Sequence, residues 1–448
     1  MNSSPQFQAP QAALGPGHMA RLVAAKAFER TLSARQQLDD VLDQEIAQAR
    51  GLEGRDAALA RAIALTSFRH LGTIAQAVDA RLAQGARSLP RPVQALLVTA
   101  AAQLLFMEAA DHAAVDVAVA LTKLQPQGMR FAGVVNAVLR KIGREAEGIR
   151  TAIAPLGADT PSWLREAWIR DHGEANAVAI AASFGDELAL DLTVRDDAAG
   201  WAEKLDALLL PTGSIRLRQR TPVHELPGYS EGAWWVQDAS SAVPARLIGA
   251  GPGQSILDMC AAPGGKTAQL ASMGAHVTAL DRSRQRLDIL SQNLSRLGLS
   301  ADVVVADGVN FEHEPYDAVL LDAPCTATGT IRRHPDVAWT KTPQDEAKLV
   351  ALQARLLHRA ADLTRPGGRL VYCTCSLQAS EGEDQVSAIL AARSDLALLP
   401  VSDAEVGIAG STTARGEFRA LPHQLHGDSP RVSGWGGFFA ARFVRHSR

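Results

Sequence analysis

Two cysteines, Cys325 and Cys375, each close an apolar, strand-like run downstream of a glycine-rich turn, Asp258-Met-Cys-Ala-Ala-Pro-Gly-Gly-Lys-Thr267. A thiol at a strand end can be exposed and reactive, and a reactive thiol forms covalent adducts. A second thiol suits a reaction whose adduct must also be taken apart. Two further cysteines, Cys260 and Cys373, read as small buried hydrophobes. The four could be zinc ligands only without the usual Cys-x-x-Cys knuckles, so no metal is expected. Their wide, irregular spacing is no disulfide framework, and a reduced, cytoplasmic setting is the simpler expectation.

The turn itself suits a nucleotide-type cofactor. Gly264 and Gly265 let a ligand approach the backbone closely, and a helix N-terminus follows. It is neither Gly-x-Gly-x-x-Gly nor a P-loop, which disfavours a dinucleotide or a nucleoside triphosphate. Asp281 ends the next strand, 17 residues after Gly264, where an acid can grip ribose hydroxyls. Asp307-Gly308 ends the third strand, placed to meet an adenine edge. Each aspartate alone could be a helix cap; together they describe a nucleoside cradle. Asp322 follows an apolar run and could be desolvated enough to hold a proton.

These residues need a sheet to align them. From Asp238 to Arg448 strand-like runs (255–259, 276–280, 303–306, 318–321 and 369–373) alternate with helical leucine stripes, which predicts a doubly wound α/β sheet. Late runs 396–401 and 438–444 could close it. Residues 18–150 predict an all-helical bundle: Leu71, Ile74, Val78 and Leu82, then Val115, Ala118 and Val119, then Val135, Val138, Leu139 and Ile142 keep helical spacing. Pro90 and Pro92 break the pattern. Residues 151–237 predict a small α+β domain, and residues 1–17 a disordered tail.

Composition bounds the rest. A 448-residue chain carries about three domains. Its net charge of −3 means that any basic surface is local. Arg332 and Arg333, beside Cys325, are candidates for phosphate contact. So are Arg216, Arg218 and Arg220 if they share one strand face, although a solvated face would read the same. No uncharged apolar run reaches membrane-spanning length.

At this point motifs enter. Asp258–Thr267, Asp322-Ala-Pro-Cys325 with Thr328-Gly-Thr-Ile-Arg-Arg-His-Pro-Asp336, and Thr374-Cys-Ser376 followed by Glu381-Gly-Glu383 resemble those of the RNA cytosine-C5 methyltransferases, the Nop2/Nol1/Sun family. Asp111–Lys123 and Val134–Lys141 are similar to NusB, an RNA-binding factor. The resemblance covers nearly the whole chain after the tail. It implies a Rossmann-like methyltransferase domain behind a NusB-like bundle and an RRM-like element. It implies S-adenosylmethionine as cofactor, lined by Cys260, Ala261, Ala262, Pro263, Gly264, Gly265 and Lys266, with Asp281 on the ribose, Arg286 beside it, Asp307 at the adenine, and Asp322. It makes Cys375 the nucleophile at cytosine C6 and Cys325 the residue of product release. Asp322 would hold the base edge, helped by Lys266.

The implied substrate is RNA: 16S rRNA first, tRNA as the alternative. A non-catalytic ribosome-assembly factor is the reading from another class. DNA cytosine-C5 methyltransferases use the cysteine of a Pro-Cys pair, here Pro324-Cys325, and the residues alone do not rank the two thiols. The family's usual Asp-Gly-Phe-Phe is Gly436-Gly-Phe-Phe439 here, and the glycine- and polar-rich residues 404–433 show no clear match to it.

Overall fold

A computed structural model describes residues 16–49, 51–107, 111–185 and 187–447. The expected tail falls outside these residues except for Pro16 and Gly17, which begin the first helix, Pro16–Ala34. The chain forms two compact units: residues 1–185 with 334–342, and residues 186–333 with 343–448.

The first unit is helical. Helix Ala132–Arg144 shows why: Val135, Val138, Leu139 and Ile142 are buried at positions three and four apart, leaving Arg140, Lys141 and Arg144 outward. Helix Leu71–Asp79 buries Ile74, Ala77 and Val78 in the same way. Helix Arg91–Phe106 corrects the expected break at Pro92. That proline occupies the second helical position, where the missing N–H has no intrahelical partner to lose. The helix is buried all round from Val93 to Leu105 apart from Gln94, so it carries no amphipathic period to read.

Residues 334–342 belong to this unit although they follow the Cys325 motif in sequence. Asp336 accepts from Leu38 N at 3.2 Å, at the start of helix Leu38–Gln48, where Gln37 supplies no side-chain cap. Trp339 Nε1 donates to Phe68 O at 2.9 Å, and its ring packs against the helical core.

The middle region divides. Residues 151–185, including helix Ser162–Ser183 with its interruption at Gly173, join the first unit. Asp159 accepts from Thr73 N and Oγ1 at 2.7 and 2.8 Å, and Arg69 donates to Phe184 O at 2.9 Å. The remainder opens the second unit as an antiparallel sheet of β1 (Asp191–Val194), β2 (Ala207–Leu209), β3 (Ile215–Leu217) and β4 (Trp234–Val236), in the order β2-β3-β1-β4.

The second sheet holds β5 (Ser255–Met259), β6 (His276–Asp281), β7 (Asp302–Val305), β8 (Tyr316–Asp322), β9 (Thr364–Thr374), β10 (Leu396–Leu398), β11 (Phe418–Ala420) and β12 (Phe438–Arg445). Its order is β10-β12-β9-β8-β5-β6-β7, with β11 also on β12. Strands β7, β6, β5, β8 and β9 are parallel, and β12 is antiparallel to β9. The chain winds outward from β5 to β7, then returns to β8 on β5's other side. That reversal is a topological switch point, and ligands bind where it opens, beyond the strands' carboxyl ends. Met259 and Leu321 are register partners there. Helices on both faces cover the Leu257–Met259 and Val319–Leu321 cores.

Candidate active site

β5 hands the chain to a loop of unusual backbone. Cys260 has φ +62°, Gly264 has φ +103°, and helix Gly265–Ser272 begins at once. A Cβ on Gly264 would lie 2.7 Å from Leu290, so glycine is required both by conformation and by space. Asp281, at the end of β6, accepts from Ala262 N at 3.3 Å and Ser283 N at 2.9 Å. Arg286 donates to Ala262 O and lies 3.7 Å from the Asp281 carboxylate. Asp307, just past β7, is exposed and receives Val309 N at 3.0 Å. Asp281 and Asp307 therefore stand at successive strand ends, Asp281 bonded to the loop. A cavity of about 440 Å³ runs along the loop, from Trp235 and Gln237 to Lys266 and Asp322, and neither Asp281 nor Asp307 is among the residues lining it. It is large enough for a drug-sized ligand.

Under the loop lies Asp258. Thr267 Oγ1 donates to its Oδ2 at 2.6 Å, while its Oδ1 has no hydrogen-bond partner. Burial pushes this carboxyl up to about 7, against the pull of Thr267 and Lys266. Because the folded value lies above the unfolded one, the folded state holds the proton more tightly. That contribution is fully present below about pH 4 and is lost as pH rises through about 7. Thermal melts from pH 4 to 8 should therefore decline less steeply for Asp258→Asn than for wild type, by a few kcal/mol at most.

At the switch point Lys266 Nζ meets Asp322 Oδ2 at 2.7 Å and lies 4.9 Å from the centroid of the Phe438 ring. Burial alone would push the ammonium down; the Asp322 carboxylate reverses this and raises it. Cys373 Sγ lies 3.6 Å from Asp322 Oδ1 and is fully buried. Burial pushes the Cys373 thiol up and that of Cys260 to about 12. Neither is suited to act as a thiolate.

Cys325 and Cys375 meet. Their sulfurs are 3.5 Å apart, both reduced and half-buried, at the ends of adjacent strands β8 and β9. The hydrogen bond to Cys375 pushes the Cys325 thiol well up, and burial and the charge of Glu381 add to it. Cys325 is thus held as a proton-bearing thiol beside Cys375. The cause is invisible in sequence, since it depends on neighbours 50 and 56 residues away.

The basic residues fare differently. Arg216 is corrected outright. It is fully buried, donates to both Asp191 oxygens at 2.6 and 2.8 Å, and reaches Val432 O and Gly434 O. Arg332 is corrected likewise, donating to Ser433 O at 2.7 Å and Pro430 O at 3.1 Å. Arg333 pairs with Asp238 at 3.0 Å and also faces Asp191 at 3.7 Å. Burial would lift the Asp238 carboxyl; Arg333 and Ser240 bring it down to about 2. The face shared by three arginines does not form, because β3 ends at Leu217. Arg218 and Arg220 lie beyond it, near Asp428 and Glu187, largely exposed. Arg216→Ala should cost about 3–5 kcal/mol in urea denaturation, the price of leaving the buried Asp191 without its bidentate partner and with only Ala239 N and the more distant Arg333 beside it. RNA affinity per folded molecule should not change.

The Gly436 departure has a spatial reason. A Cβ there would lie 2.9–3.0 Å from the Asp238 carboxylate, whose Oδ1 accepts from Gly436 N at 3.2 Å. An aspartate would set a second negative charge against the first. Residues 404–433 supply Arg419, which donates to Ser376 O at 2.6 Å and pairs with Glu383. Sequence reading assigns Arg419 no role; its position on β11, facing the Cys375 loop, is a tertiary fact.

Residues 246–443 match the family model of the 16S rRNA methyltransferases RsmB/F, and residues 18–144 that of the NusB family. The chain is 33% identical to Ribosomal RNA small subunit methyltransferase B of Klebsiella pneumoniae strain 342, over 95% of this chain and 98% of that one. It is 34% identical to the protein of the same name from Salmonella newport, over 84% and 91%. Among solved structures it resembles PH0851, with a TM-score of 0.74 at 21% identity over 97% of this chain and 99% of that one. It also resembles NSun6 from Pyrococcus horikoshii, solved with SFG, with a TM-score of 0.56 at 19% identity over 64% and 99%. These last two likenesses concern the fold.

Proposed function

Because this chain belongs to the RsmB/F family of 16S rRNA methyltransferases, we propose that it methylates C5 of a cytosine in small-subunit rRNA, using S-adenosylmethionine. The observation that carries the reading is the thiol pair: two reduced sulfurs 3.5 Å apart, at the carboxyl ends of neighbouring strands. Asp322, paired with Lys266, ends the same strand β8 that leads to Cys325.

The residues present fit the cofactor. The Gly264–Gly265 backbone admits close approach, the helix N-terminus behind it favours a carboxylate, and Asp281 and Asp307 offer acceptors to hydroxyl and amine groups. Residues 260–266, Asp281, Arg286, Asp307 and Asp322 would hold it. When bound, S-adenosylmethionine supplies an electrophilic methyl group; SFG, its analogue, accompanies the NSun6 fold relative.

The rest is work for the chain. Cytosine C5 is a poor nucleophile. Cys375, as thiolate, adds to C6 and breaks the C5–C6 double bond, which makes C5 electron-rich. Asp322 holds the N3/N4 edge, and Lys266 keeps Asp322 oriented. After methylation C5 carries a proton that must leave. Transfer of that proton to solvent as base leaves its electron pair to restore the C5–C6 double bond, and the C6–S bond breaks to expel Cys375 as thiolate. Cys325, within contact of that sulfur, assists release. The base must be unpaired or flipped, because C6 is unreachable in a stacked duplex. Bisulfite sequencing of RNA from a deletion strain should show one lost 5-methylcytosine in 16S rRNA. Loss confined to tRNA would overturn the rRNA assignment.

A further inference from the structure

We propose that Glu381 is a positioning residue for both thiols, fixing the spacing between Cys325 and Cys375 by binding the residue that follows each. Glu381 is fully buried at the end of the short turn Ala379–Glu381. Its Oε1 accepts from Thr326 N at 2.9 Å and from Gln353 Nε2 at 3.0 Å. Its Oε2 accepts from Thr326 Oγ1 and from Ser376 Oγ, each at 2.5 Å. Thr326 follows Cys325, and Ser376 follows Cys375.

The grip extends further. The same Gln353 amide donates to Pro324 O at 2.9 Å, so Cys325 is held on both flanks. Tyr372 OH, from β9, donates to Glu381 O at 2.7 Å and fixes the turn to the strand that carries Cys375. Gly329 N donates to Cys375 O at 3.0 Å and closes the ring between the two loops. Thr326 Oγ1 and Ser376 Oγ also meet each other directly at 3.3 Å, and Glu381 binds both. A buried carboxylate is costly unless fully paired, and here four donors converge on it. An apolar core residue would fill the volume but leave those donors without this acceptor, and the loops tied only by the Gly329–Cys375 and Thr326–Ser376 bonds.

The kinetic consequence rests on the cysteine roles proposed above; the spacing consequence does not. Both are read in the full-length protein with Glu381→Ala and Glu381→Gln. Diamide, which takes up the two hydrogens that the thiols lose, converts Cys325 and Cys375 to a disulfide at a rate set by their spacing. Glu381→Ala should slow that reaction at least about 10-fold and lower kcat about 10²-fold, the effect of roughly 1 Å of misplacement. Affinity for S-adenosylmethionine, by calorimetry, should stay within about 2-fold, since the cofactor loop is untouched. Glu381→Gln should recover most of both losses. Its carbonyl can accept from Thr326 N, and its amide can donate to the two hydroxyls.

Wild-type oxidation in the Ala variant would overturn the proposal, as would a Gln variant no better than Ala. Should the Ala variant fail to fold, Thr326→Val removes one hydroxyl donor at nearly constant shape. Slowed oxidation there supports the proposal, and an unchanged rate overturns it. If the chain methylates no RNA, the oxidation arm still reads the spacing, so failure of the functional reading is told apart from failure of this one.

Discussion

Replacing Cys375 by alanine is expected to lower methyl transfer to 16S rRNA by at least about 10⁴-fold, the scale on which enzymes lose a covalent nucleophile. Without a thiolate at C6, C5 never becomes electron-rich, and no other group stands ready. Cys325 is the neighbouring sulfur; its bond to Cys375 is lost in this variant, but burial and the Glu381 charge still push its thiol up. Cys373 is enclosed and likewise pushed up. Affinity for S-adenosylmethionine should be unchanged, because Cys375 lies off the cofactor loop. Radiolabelled methyl incorporation gives the first quantity and calorimetry the second. Accumulation of a covalent RNA complex by the Cys375→Ala variant would reverse the two roles, as in enzymes that attack through a Pro-Cys cysteine.

Cys325→Ala should behave in the opposite manner. Addition to C6 and methyl transfer proceed, since Cys375 is intact. Release fails, because the group in contact with the departing sulfur is gone. Multiple turnover should fall about 10²–10⁴-fold, the usual worth of a positioned acid or base. A band resistant to denaturant should appear in gels, carrying both protein and RNA. Nuclease treatment should collapse it to the mass of protein plus one methylated nucleotide. Ordinary slow turnover with no such band would remove Cys325 from the release step.

The catalytic sheet was legible because it is built of local signals. Apolar runs mark β5, β6, β8 and β9, and the residue that ends each run faces the ligand by topology alone. Asp281, Asp322 and Cys375 could therefore be picked out by position. The arginines were not legible in the same way. A strand arginine has the same neighbours in sequence whether it meets water or, like Arg216, a buried Asp191 from the adjacent strand 25 residues earlier. Glu381 lies within a motif, yet its four donors come from residues 326, 353 and 376. Helix Arg91–Phe106 hid for another reason: burial on every side erases the alternation that reveals a surface helix. The division of residues 151–237 turned on Asp159 and Phe184, whose partners lie some 85 and 115 positions away.

The placement of residues 334–342 bears on how this protein can be cut. The backbone passes from one unit to the other at residue 186, again at 334, and back at 343. One cleavage in the chain therefore cannot separate them. A fragment starting at residue 186 would keep Trp339 and Asp336 but lose Phe68, whose carbonyl accepts from Trp339, and Leu38, whose N–H donates to Asp336. Nine residues would be left without their fold, joined at one end to the loop that carries Cys325. In evolutionary terms the helical unit is no detachable accessory. A gene that dropped it would also have to rewrite a stretch in the middle of the enzyme.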